Sequence, residues 1–183
     1  MSEAANAFSM IAPLWTCGCL IQWPFDARMG LYAAGVSLVV LNSFAYHSAC
    51  TLELEAGLRT RLRKLDQSTQ HVANMMFAYA ISESARYAAA VGGYAAGSIV
   101  LLWLKGAHDT MAVRRANLFV TICMVAAAIA WRRDYANLLG VSGMGLLAIA
   151  CFVSGGYYHA LSHLLLAPYM YFLYKAIRST DTS

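Results

Sequence analysis

Apolar stretches separated by short polar segments account for almost the whole chain. Each stretch is close to the ~20 residues that a helix needs to cross the hydrocarbon core of a bilayer. The pattern therefore predicts an all-α integral membrane protein, in which residues 1–183 form one domain, a seven transmembrane helix bundle. The predicted helices cover residues 7–25, 29–50, 66–82, 87–104, 116–131, 135–154 and 157–177.

Composition supports a multi-pass membrane protein and excludes other classes. Hydrophobic residues make up 60% of the chain and charged residues only 12%, whereas about a quarter of the residues in soluble domains are charged. A disordered chain would need low hydrophobicity and high charge. The 13 Lys and Arg residues are spread thinly and form no basic face interleaved with aromatic residues. We therefore expect membrane lipids, and no nucleic acid, as partners.

The third predicted helix, residues 66–82, has an unusually polar start. It follows the longest hydrophilic stretch of the chain, residues 51–65, and its first six residues are all polar. Such a helix fits a membrane if its polar end faces a cavity inside the bundle. Within it, a packing or interfacial role is favoured for His71, and the alternative is that it faces the same cavity as Asp66 and supports the site residues. Asn74 is expected to hydrogen-bond to a neighbouring helix.

Five polar residues fall in one layer of the predicted bundle. Ser43 and His47 lie four residues apart near the end of the second helix, Asp66 opens the third, and His159 and His163 lie four residues apart at the start of the seventh. Residues at this spacing share a helix face. Because successive helices alternate in direction, the three helix ends lie on the same side of the membrane.

Three imidazoles beside a carboxylate are the ligand types of a catalytic zinc site. His47, His159 and His163 would fill three positions of a tetrahedral Zn²⁺ ion and leave the fourth for water. Asp66 could accept the proton of that water or orient it, and Ser43 could bond the water or a substrate oxyanion. The alternative is that these histidines are only interhelical hydrogen-bonding groups.

The same motifs resemble a known group of membrane proteins. Ser43-Phe44-Ala45-Tyr46-His47-Ser48, the segment 62–68 around Asp66, and His159-Ala160-Leu161-Ser162-His163 are similar to the signature of the CREST superfamily. That superfamily includes alkaline ceramidases, the progestin and adiponectin (PAQR) receptors, hemolysin III proteins and myomaker-like proteins. Its signature is a Ser-x-x-x-His, an Asp and a His-x-x-x-His on a seven-helix core.

The resemblance implies a zinc-dependent intramembrane lipid hydrolase. Zinc would be held by His47, His159 and His163, and metal-bound hydroxide would attack the carbonyl of a lipid amide or ester, with Asp66 and Ser43 as catalytic residues. Two alternatives stay open: a non-catalytic structural subunit of a larger membrane complex, and a PAQR-like receptor that retains the zinc site. Membrane-protein partners or a homo-oligomer also stay open.

Overall fold

The computed structural model describes residues 2–21, 26–104 and 110–179, and within these ranges the chain is helical with no strand. Eight helices follow one another along the chain. They are α1 (Ser2–Ser9), α2 (Ile11–Leu20), α3 (Ala27–Thr51), α4 (Ala56–Ser82), α5 (Ala85–Leu104), α6 (Met111–Trp131), α7 (Tyr135–Ser154) and α8 (Tyr157–Arg178). The expectation of an all-α protein is therefore confirmed.

Four of these helices, namely α3, α5, α6 and α7, are long and apolar enough to cross a membrane. This is the composition of a multi-pass membrane protein. The other three predicted spans correspond to α1 with α2, to α4 and to α8, which carry more polar residues.

The first predicted helix, residues 7–25, is interrupted. The chain is helical from residue 2, turns at Met10 and becomes helical again at Ile11, and residues 22–25 lie outside the described part. The cause is Pro13. Its ring nitrogen has no hydrogen to donate to the carbonyl of Ser9, and its ring would collide with that carbonyl in a continuous helix. The break lets α1 pack against both α3 and α8.

The third predicted helix begins earlier than expected. Instead of starting at Asp66, α4 starts at Ala56 and includes most of the hydrophilic stretch 51–65. The charges of the Arg and Lys residues end the apolar stretch, but these residues are good helix formers and therefore do not end the helix. Asp66 therefore lies three turns inside α4, where the preceding turns hold its backbone rigidly.

Helix packing relies on close approach as well as on apolar side chains. The core joins α3, α4 and α8, with Tyr32, Ile81 and Leu173 fully buried. Gly140 of α7 lies directly against the ring of Phe172 on α8, at a position where a Cβ atom would come within 2.4 Å of the ring. Small residues at such contacts are typical of helix association in membranes.

Candidate metal centre

Three histidine side chains converge near one end of the bundle. His47 extends from the last turns of α3, and His159 and His163 from the first turns of α8. One ligand nitrogen of each lies within 4.8 Å of those of the other two. The ring centroids are 5.1 Å apart for His47 with each of the other two, and 4.8 Å apart for His159 and His163. The predicted juxtaposition of these histidines is thus present in the structure.

The short helix α1 supports two of these rings. The Glu3 carboxylate lies against His47, with Oε2 2.6 Å from Nδ1. His163 Nδ1 lies 3.1 Å from the backbone carbonyl oxygen of Asn6 and 3.0 Å from Ser9 Oγ. The Ser9 hydroxyl in turn donates to the same Asn6 carbonyl, at 2.8 Å.

These partners determine which nitrogen of each ring is available. A backbone carbonyl oxygen only accepts hydrogen bonds, so Nδ1 of His163 carries the hydrogen and donates it. The ionised Glu3 carboxylate is likewise an acceptor, which places a hydrogen on Nδ1 of His47. Both rings therefore present the lone pair of Nε2, and in metal sites a histidine commonly donates its other N–H to a carboxylate or a backbone carbonyl in this way.

The donor set fits zinc. Three neutral imidazoles are the protein ligands of one class of catalytic zinc site. Nitrogens bound tetrahedrally at 2.0–2.1 Å from a zinc ion are about 3.4 Å apart, and the histidine nitrogens here lie within 4.8 Å of one another. The three nitrogens are thus close enough together to hold one metal ion.

Asp66 and Ser43 line the same cavity as the histidines, but Asp66 lies outside the close histidine cluster. The Asp66 side chain is buried, with 8% of its residue surface exposed. Gln70 donates to Asp66 Oδ2 at 3.3 Å, and the Ser43 hydroxyl lies beside the same carboxylate. Asp66 Oδ1 has no hydrogen-bond partner among the described residues. One carboxylate oxygen is thus held by Gln70, while the other keeps its capacity to accept a hydrogen bond or a proton.

The cavity has a volume of about 320 Å³, and its lining is polar on some helices and apolar on others. From the histidines, the lining continues along α3 to Val39, along α4 to Phe77 and along α8 to Met170. The wall formed by α4 and α6 is mostly polar and includes Asp66, Gln67, Gln70, His71, Asn74, Arg114, Asn117 and Thr121. The lining from Met10, α3 and α8 is mostly apolar beyond the histidines and includes Met10, Val39, Leu166, Tyr169 and Met170. An amphiphilic molecule matches this arrangement.

Glu3, Asn6 and Ser9 are the site residues that the sequence analysis missed. They occur at spacings of three residues in an otherwise apolar segment, and they therefore share one face of α1. That periodicity was the available signal. The buried fractions agree with it, since Asn6 and Ser9 are only 2% and 7% exposed.

Comparison of the chain with protein-family models, with curated proteins and with solved structures found no match.

Proposed function

We propose that this chain is a seven-span membrane protein with an intramembrane zinc centre that hydrolyses a lipid amide or ester. In this proposal α1 and α2 together form the first span, and α4 and α8 cross the membrane alongside the four apolar helices. The observation that carries it is the convergence of three imidazoles on one amphiphilic cavity, where contacts from α1 leave Nε2 of His47 and of His163 available.

Membership of the CREST superfamily is part of the proposal. The Ser-x-x-x-His, Asp and His-x-x-x-His elements occur in the expected order on α3, α4 and α8. Their side chains line one cavity. The ceramidase-type amidase is the simplest activity for such a site, and lipid ester hydrolysis is the close variant.

The protein residues have separable roles in the proposed reaction. Bound zinc would supply a Lewis acid and would lower the pKa of its water towards neutrality. Glu3 and the Asn6–Ser9 pair hold the rings of His47 and His163 in the orientation that the ligand set needs. Asp66 accepts a proton at Oδ1 and passes it to the leaving amine or alcohol. The Ser43 hydroxyl donates to the oxygen that becomes negative as the carbonyl is attacked.

The cavity lining is the reason for proposing a lipid as the substrate. Its apolar wall accommodates an acyl chain, while the polar groups near the histidines accommodate the amide or ester. A bound lipid would displace water from such a site, and hydrogen bonds to a developing charge would then be stronger than in bulk solvent.

Metal analysis of the purified protein, with three variants, tests the proposal. We expect close to one zinc per wild-type chain, little in His159→Ala, and an unchanged amount in His71→Asn, which removes a cavity histidine outside the cluster. Asp66→Asn should keep zinc and lose hydrolysis of a panel of ceramides, other N-acyl amides and acyl esters, measured by mass spectrometry. Equal zinc in wild type and His159→Ala would refute the metal centre. Zinc bound by a wild-type protein that hydrolyses none of the panel would count against the hydrolase.

A further inference from the structure

Two buried polar atoms on the α4 wall of the cavity have no protein partner. His71 and Asn74 are 5% and 1% exposed, and both line the cavity. Among the residues that the structure describes, nothing hydrogen-bonds to His71 Nδ1 or to Asn74 Oδ1. Burying a polar atom without a partner costs free energy, so each such atom requires an explanation.

The surrounding contacts fix the orientation of these groups. The Asn74 amide nitrogen is directed to Met124 Sδ, 3.7 Å away, which leaves Oδ1 as an acceptor. The His71 ring stands edge-on to Tyr94, with 5.8 Å between the ring centroids. Tyr94 donates its hydroxyl hydrogen to Asn117 Oδ1 at 2.9 Å, so the Asn117 amide nitrogen remains as a donor. The wall therefore offers both an acceptor and a donor.

This group of residues is separated from the reacting centre along the helix axis. His71 and Asn74 lie five and eight residues beyond Asp66, which corresponds to roughly 7 and 12 Å at the rise of an α-helix. The lining of the same cavity from α3 and α8 includes the apolar side chains of Val39 and Met170. A plain acyl chain would pack against these apolar side chains but would leave His71 Nδ1 and Asn74 Oδ1 without a hydrogen-bond partner.

We propose that His71, Asn74 and Asn117 form a subsite for a hydroxyl or similar oxygen function carried partway along the acyl chain of the bound lipid. The assignment of that lipid as a substrate rests on the proposed function, whereas binding at the subsite does not. The chemical class is thus an amide or ester of an oxygenated fatty acid. A cavity wall built to hydrogen-bond selects against the analogue that lacks the bonding group, because its own polar atoms are then left unpaired.

Matched acyl hydroxamates test the subsite, because the hydroxamate is not hydrolysed and binds zinc. One probe carries a plain saturated chain, and the others carry a single hydroxyl at successive positions along it. Affinities are measured in detergent, with and without zinc. For at least one hydroxyl position we expect wild-type protein to bind about tenfold more tightly than it binds the plain probe, which corresponds to one net hydrogen bond.

Two variants assign the preference to these residues. Asn74→Leu should reduce the ratio between hydroxylated and plain probes to about twofold or less, without weakening the plain probe. Asn42→Leu is the matched control, because Asn42 is not among the described residues that line the cavity and its amide donates to the Leu38 carbonyl in its own helix. Its ratio should equal that of the wild type.

The outcomes separate the two proposals. If zinc leaves all affinities unchanged but the hydroxyl preference persists, the metal centre fails and the subsite stands. If wild-type protein binds plain and hydroxylated probes equally at every position, the subsite proposal is wrong and water satisfies the polar wall. That comparison needs no variant, so poor folding of Asn74→Leu cannot obscure it.

Discussion

Replacing Glu3 by Gln should weaken zinc binding without changing the ligands themselves. Glu3 accepts from His47 Nδ1 at 2.6 Å and is 41% exposed at its side chain, whereas the His47 side chain is 2% exposed. A hydrogen bond to a charged group contributes about 1.5–3 kcal/mol and a neutral one about 0.5–1.5 kcal/mol. Gln can still accept a neutral hydrogen bond from His47, so the variant loses only the difference in free energy between the charged and the neutral bond. Because solvent screens the exposed carboxylate, we take the lower end, about 1 kcal/mol, or roughly fivefold in Kd.

Glu3→Ala should have a larger effect than Glu3→Gln. It leaves the buried N–H of His47 without an acceptor, which costs about 2 kcal/mol and corresponds to roughly thirtyfold weaker binding. Ser9→Ala provides the contrast, since His163 retains its bond to the Asn6 carbonyl at 3.1 Å. We expect less than about a threefold change for that variant.

Competition with a zinc-binding dye in detergent measures these affinities, and the absorption spectrum of the cobalt-substituted protein reports the geometry of the site. Glu55→Gln is the matched control, because Glu55 is exposed and, within the described part of the chain, its side chain makes no capping hydrogen bond at the start of α4. If Glu3→Gln binds zinc as tightly as wild type, or if Glu55→Gln weakens binding equally, the hydrogen bond from His47 to Glu3 does not contribute to zinc affinity.

Two further predictions concern stability, measured as the thermal midpoint in detergent. Gly140→Ala should destabilise the protein by about 1–3 kcal/mol, because the new methyl group overlaps the Phe172 ring. Gly143→Ala is the control on the same helix, since its methyl group meets nothing within 4 Å and should be neutral or slightly stabilising. Equal losses of stability in the two variants would contradict the predicted overlap. At the start of α7, burial raises the pKa of Asp134, but hydrogen bonds, chiefly from Asn137, outweigh it and hold that pKa below its usual value of 3.8. The ionised Asp134 cap therefore contributes its full stabilisation above pH 3.8, and this contribution is lost as the pH falls through the lower pKa of the folded state. Asp134→Asn should remove this part of the acid sensitivity, and a pH profile of stability unchanged from wild type would contradict the prediction.

The grouping of the polar residues at the candidate metal centre could be predicted because successive membrane helices alternate in direction. Once Ser43, His47, Asp66, His159 and His163 are assigned to helix ends, topology alone places them in one layer. Their common cavity in the structure follows from that constraint, and it needs no knowledge of individual side-chain contacts. The roles of Asp66 and Ser43 in catalysis stay predictions.

The helix boundaries were less predictable, because hydropathy reports where a span ends and not where a helix ends. The charged start of α4 is helical for ten residues before Asp66. The break at Met10 depends on a single proline inside an apolar stretch. The contribution of α1 was missed for a related reason. Glu3, Asn6 and Ser9 acquire their significance only when the break turns their shared face towards His47 and His163.

The break between α1 and α2 has a consequence for how a bound metal would be lost. α1 has eight residues, and helices of that length are not stable on their own in water. It nonetheless orients ligands from two separate helices, α3 and α8. Fraying of this one short segment would free both rings together, so metal release would follow a local opening of the N-terminal helix and would not await unfolding of the bundle. By the same linkage, metal binding would protect the amides of α1 from hydrogen exchange more than those of any long helix.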